Sequence, residues 1–77
     1  MIRELDIVVL TRDIPEHGLK RDDVGAVVHC YKENKAFEIE FVTGEGETIA
    51  QLTLTPDDIR PIRRREILSV RELVVAA

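Results

Sequence analysis

Cysteine occurs once in the 77 residues, at Cys30, and tryptophan does not occur at all. One cysteine excludes an intrachain disulfide. With only His17 and His29 beside it, no Cys/His spacing matches a structural zinc site, and no metal or cofactor is expected. Aromatics are three: Tyr31, Phe37 and Phe41. No apolar run approaches the roughly 18 residues of a membrane-crossing helix. The opening MIRELDIVVL is too acidic and too short for a secretory leader, so a cytoplasmic location with no membrane partner is expected. Internal repeats and low-complexity stretches are absent. The usual staples of very small domains are therefore missing, and stability must come from a compact sheet, a partner, or both.

The composition that remains is that of a soluble globular domain, 44% hydrophobic and 34% charged. The length allows one core, so a single domain over residues 1–77 is expected, with its core in 5–62 and a C-terminal strand or tail in 66–77. A chain of this size buries only about 60% of its unfolded surface. Net charge is −4, unevenly spread: residues 1–61 hold seven Lys/Arg against thirteen Asp/Glu, and residues 62–77 hold four Arg against two Glu. An acidic body is a poor general match for duplex DNA, which carries about one negative charge per 1.7 Å. Of the basic residues, only the run Arg63-Arg64-Arg65 is placed to grip phosphate, and three arginines beside a strand read first as a solvated edge.

The hydrophobic pattern has the period of strands. Ile7-Val8-Val9-Leu10 is a short β-branched run that fits a buried strand. A long loop comes next, where Pro15 lacks an amide proton and Gly18 permits a turn; Ile14 and Leu19 are expected to pin it to the core. Gly25 opens a second strand, Ala26–Tyr31, at a point where the chain bends or another segment comes close. Lys32–Lys35 is a polar turn. Phe37, Ile39 and Phe41 then alternate with Glu38 and Glu40, the pattern of a strand with one wet face. Beyond a glycine-rich turn, Ala50, Leu52 and Leu54 alternate with Gln51, Thr53 and Thr55, which makes residues 36–55 a hairpin. Thr55-Pro56-Asp57-Asp58 reads as a capped single turn of 3₁₀ helix, Ile67–Val70 as a closing strand, and residues 71–77 as either its extension or a short helix. Five short strands in this order, with one 3₁₀ turn before the last, predict an all-β, SH3-like (KOW-like) small barrel, whose closure removes most edges.

The stretch Leu5–Leu10, Asp13-Ile14-Pro15-Glu16-His17-Gly18-Leu19-Lys20, Asp23-Val24-Gly25 and Val27-Val28-His29 resembles the bacterial family called domain of unknown function 4926. So do Ala36–Val42, Thr48-Ile49-Ala50, Ile59-Arg60-Pro61 and Glu66–Arg71. The resemblance implies a single small domain with no assigned activity, encoded in some members beside a small protein in an arrangement like a toxin–antitoxin pair. It supplies no catalytic residues. The order of strand, Gly18-Leu19-Lys20 and Val24-Gly25 also resembles KOW-type barrels of ribosomal and transcription proteins.

No constellation demands chemistry. His17 sits with Glu16 and Asp13 in a loop that shows no nucleophile, and reads as a loop histidine. His29 and Cys30 are neighbours in a strand, so they point to opposite faces and make no Cys–His pair. Asp22-Asp23 and Asp57-Asp58 read as turn and cap chemistry, and Gly44-Glu45-Gly46 as a hairpin turn whose acids repel phosphate. No enzyme is expected. The leading expectation is a protein-binding module, antitoxin-like toward a small toxin-like protein, or else a homo-oligomer. Its candidate contacts are Glu38 and Glu40, about 7 Å apart on one face, Glu45 and Glu47 in the turn, and Leu68, Val70 and Leu73 near the C-terminus. With Val74 and Val75, those three apolar residues either finish the core or pair with another chain. The alternative is a KOW-like nucleic-acid or ribosome-associated module using Lys20, Arg21, Arg63, Arg64 and Arg65.

Overall fold

The computed structural model describes residues 2–73. Five antiparallel strands form one sheet: β1 (Ile7–Leu10), β2 (Val24–Cys30), β3 (Phe37–Val42), β4 (Thr48–Leu54) and β5 (Ile59–Pro61). Their order is β4-β3-β2-β1-β5. The hairpin forms in the register that the alternation implies: Phe37 faces Leu54, Ile39 faces Leu52 and Phe41 faces Ala50. Five of these six side chains are buried, with Ile39 fully enclosed; Leu52, on the outer strand, is half-buried. Val8, Leu10, Val27 and Ile59 join them. Each large apolar side chain fully removed from water contributes roughly 1.5–3 kcal/mol, so the core rests on few residues.

The unbroken apolar run of β1 has a structural cause. Val8 and Leu10 enter the core, while Val9 points the other way and is buried too. It lines a cleft with Arg60, Ile62, Glu66 and Ile67, so the chain beyond β5 covers the back of β1. Ile14 and Leu19 bridge each other and are both buried, pinning the first loop as expected. Gly25 is a site of close approach. A Cβ there would lie 2.7 Å from Ile39 Cγ2 and 2.8 Å from Phe41 Cε1.

β2 is irregular. Val27 pairs with Ile39 but His29 pairs with Glu38, so Val28 is an extra residue, a bulge. The bulge reverses the facing of the two residues after it. His29 shares the outer face with Glu38, and Cys30 lies across from Phe37, packed against the core.

Three expectations are corrected. The fifth strand is Ile59–Pro61, not Ile67–Val70; Ile67, Leu68 and Val70 lie outside any strand and are exposed. Thr55–Asp58 is a hydrogen-bonded turn rather than 3₁₀ helix. The Asp58 carbonyl that would continue a helix accepts the Thr11 amide at 2.9 Å instead, and the chain passes directly into β5. The 3₁₀ turns occur at Pro15–His17 and Lys32–Asn34, inside the two loops. Finally, β4 and β5 stand at opposite ends of the sheet and do not pair, so the expected closed barrel is not formed among the described residues. β5 has three residues and ends at Pro61, which has no amide proton to extend the ladder.

Candidate functional site

The outer face of the β3–β4 hairpin carries the most organised polar cluster. Register places Glu38 opposite Thr53 and Glu40 opposite Gln51. Glu38 accepts three side-chain hydrogen bonds: from the Thr53 hydroxyl (2.6 Å), the Gln51 amide (3.3 Å) and the Tyr31 hydroxyl (3.2 Å). Glu40 accepts one from the Thr48 hydroxyl at 2.8 Å. The Thr53 hydroxyl holds the Glu38 carboxyl below its ordinary range; partial desolvation opposes it, and Gln51, Tyr31 and the nearby His29 add to the lowering. His29 stands edge-on to the Tyr31 ring, with centroids 4.7 Å apart, and so frames one side of the cluster. Every strong donor to Glu38 is neutral. The face therefore keeps its negative charge while its carboxylate is fixed in place.

A second feature lies on the other side of the molecule. Leu19, Val24, Phe41, Val42, Ile49, Leu68, Val70 and Leu73 contribute to an apolar groove of about 450 Å³. The C-terminal segment forms one wall and is tied down by Arg71, which donates to Asp23 Oδ1 at 2.8 Å and to the Gly18 carbonyl at 2.9 Å. Burial pushes the Asp23 carboxyl up, but Arg71 and the Lys20 amide outweigh it and leave it below the ordinary range. A similar clamp precedes it. Arg60 grips both oxygens of Glu66 (2.7 and 2.6 Å), whose Oε1 also takes the Arg63 amide at 2.6 Å. Arg60 first, then the Arg63 amide, lower the Glu66 carboxyl to about 2.

Against this geometry the comparison with known families is decisive. The family model described as Domain of unknown function (DUF4926) matches residues 4–61. The chain belongs to the DUF4926 family. The matched residues contain all five strands and stop where β5 stops. The DUF4926 match thus ends before Glu66–Arg71, so the resemblance expected for that stretch lies outside the matched range. No curated protein and no solved structure matches the chain.

In this DUF4926 fold the residues singled out from sequence separate into groups. Glu38 and Glu40 share a face as expected, and Glu47 adjoins it through its neighbour Thr48. Glu45 is exposed in the turn and bonds to none of them. Leu73 is half-buried in the groove wall, whereas Leu68 and Val70 are exposed, so they do not finish the core. Lys20 and Arg21 lie in the β1–β2 loop. Arg63, Arg64 and Arg65 come after β5, and among the described residues no hydrogen bond or ion pair joins the two basic sets. His17 is exposed beside Gly18. Among the described residues no three His, Cys, Asp or Glu cluster as metal ligands would. The acidic pairs do serve turns: Asp23 accepts the Lys20 amide and Asp58 the Thr55 amide.

Sequence reasoning missed the donors around Glu38 and both arginine clamps. The first had a signal, because a hairpin centred on residues 43–47 sets Thr53 across from Glu38. The clamp from Arg71 to Asp23 spans 48 positions, and no local pattern announces it.

Proposed function

We propose that this chain is a non-enzymatic protein-binding module, the antitoxin-like half of a pair with a small, basic, toxin-like protein encoded nearby. The observation that carries the reading is the Glu38 carboxylate, held ionised and oriented by three neutral donors on an open sheet face beside Glu40. A fixed pair of carboxylates attracts a basic surface and raises its capture rate without requiring a pocket. The strand order supports an SH3-like fold left open at β4, and the setting is cytoplasmic.

The test is co-expression with the product of the neighbouring gene. A stoichiometric complex is expected on size-exclusion chromatography. Glu38→Gln with Glu40→Gln is expected to slow association about tenfold at low salt and much less at high salt, because exposed charges are screened. Two separately eluting proteins, or association that ignores both substitutions and salt, would refute it.

A further inference from the structure

The two ends of the sheet are not alike. β5 is blunted in the usual way: three residues, a charged Arg60 and the proline Pro61. β4 has seven residues, Thr48-Ile49-Ala50-Gln51-Leu52-Thr53-Leu54, with no charge, proline or glycine; its one irregularity is a bulge at Ile49, near the turn, which leaves Ala50–Leu54 regular. In a chain that is 34% charged, the stretch between Glu47 and Asp57 is the longest without a charged side chain. The next longest, between Asp23 and Lys32, contains β2, which has a strand on each side. β4 thus has the composition of an interior strand in an edge position. Among the described residues no backbone hydrogen bond reaches it from beyond β3, and Leu52, on the core side of the sheet, is left half-exposed.

We propose that β4 is an interface: it pairs antiparallel with β4 of a second copy of this chain, joining two five-stranded sheets into one. Self-complementarity favours a second copy as the occupant. A two-fold axis at Gln51 sets Ala50 of one copy against Leu52 of the other and Gln51 against itself, and the regular seam stops short of Ile49, where β4 bulges. Core-side residues then meet core-side residues, the exposed flank of Leu52 is covered, and no like charges stand opposite each other in the seam. The nearest carboxylates, Glu38 and Glu40, lie one strand back and are occupied by Thr53, Gln51 and Thr48 of their own chain. Each copy carries −4, so the copies repel at long range and added salt strengthens the pairing.

The experiment is sedimentation equilibrium of the full chain from micromolar to millimolar concentration, with amide hydrogen exchange measured at both extremes. A concentration-dependent dimer is expected, with alternate β4 amides gaining protection as it forms. The double variant Gln51→Lys/Thr53→Lys places charge on the exposed side of the seam, beside the chain's own glutamates. It should weaken dimerisation at least about tenfold. A monomer at all concentrations overturns the proposal. So does a dimer untouched by the variant, or β4 protection that does not change with concentration. The exchange measurement uses the unaltered chain and decides the matter even if the variant fails to fold. A chain that is monomeric alone sinks this seam but leaves the hetero-partner reading standing, and failure to bind the neighbouring gene product does the reverse.

Discussion

Replacing Gly25 by alanine adds one methyl group where three side-chain atoms already stand: Ile39 Cγ2 at 2.7 Å and Phe41 Cε1 and Cδ1 at 2.8 and 3.0 Å. Neither neighbour can easily yield. Ile39 is 0% exposed and Phe41 3%, and the Ile39 methyl sits on a β-branched carbon with restricted rotation. Overpacking of this kind costs about 1–3 kcal/mol. Loss of glycine's freedom in the unfolded chain offsets about 0.4–1 kcal/mol of that. The net loss is about 1–2 kcal/mol, which for a domain of this size lowers Tm by about 5–15 °C. Gly44→Ala is the control: nothing lies within 4 Å of its added carbon, so stability should hold or rise slightly. Gly46→Ala tests conformation instead of space, because its surroundings are open but φ is +87°; about 1 kcal/mol should be lost. Thermal and urea unfolding of the three variants separates these cases. In a Phe41→Leu background, Gly25→Ala should cost less than in the parent chain. Equal stability of Gly25→Ala and Gly44→Ala would refute the packing argument.

Acid titration of Glu66 should show a midpoint near 2. Since its folded pKa is depressed, the stability it contributes is complete above its ordinary unfolded value of about 4.5 and is lost as pH falls through about 2. Carboxyl NMR shifts check this, and a midpoint near 4.5 would mean that the Arg60 clamp is not formed in solution. Arg71→Ala should release the C-terminal segment from Asp23 and Gly18. Trypsin cleavage at Arg63–Arg65 should then speed up several-fold while the unfolding temperature of the sheet barely moves; unchanged cleavage would show that Arg71 is not the tether.

Four strands were readable in the sequence because each either alternates or runs apolar over four or more residues. Phe37, Ile39 and Phe41 against Glu38 and Glu40 leave little room for another reading. β5 was hidden for the opposite reason. Ile59-Arg60-Pro61 is too short to show a period, and its proline argues against a strand everywhere except at an edge. Leu68 and Val70 alternate as a strand would, yet they lie outside any strand and are exposed, because Ile59–Pro61 already occupies the place beside β1. The acidic face was legible as a pair of glutamates. The donors that fix Glu38 depend on cross-strand register, and the Arg71 tether depends on tertiary proximity that spacing does not encode.

The extra residue in β2 works as a parity switch. Upstream of Val28 the odd-numbered Val27 enters the core; downstream it is the even-numbered Cys30 that faces inward. Removing Val28 alone would leave Val27 opposite Ile39, His29 opposite Glu38 and Cys30 opposite Phe37 in unbroken alternation, so the strand would lose its local kink and keep its register. A missing codon is therefore absorbed here, whereas one lost within the regular part of β3 would invert the facing of the residues beyond it.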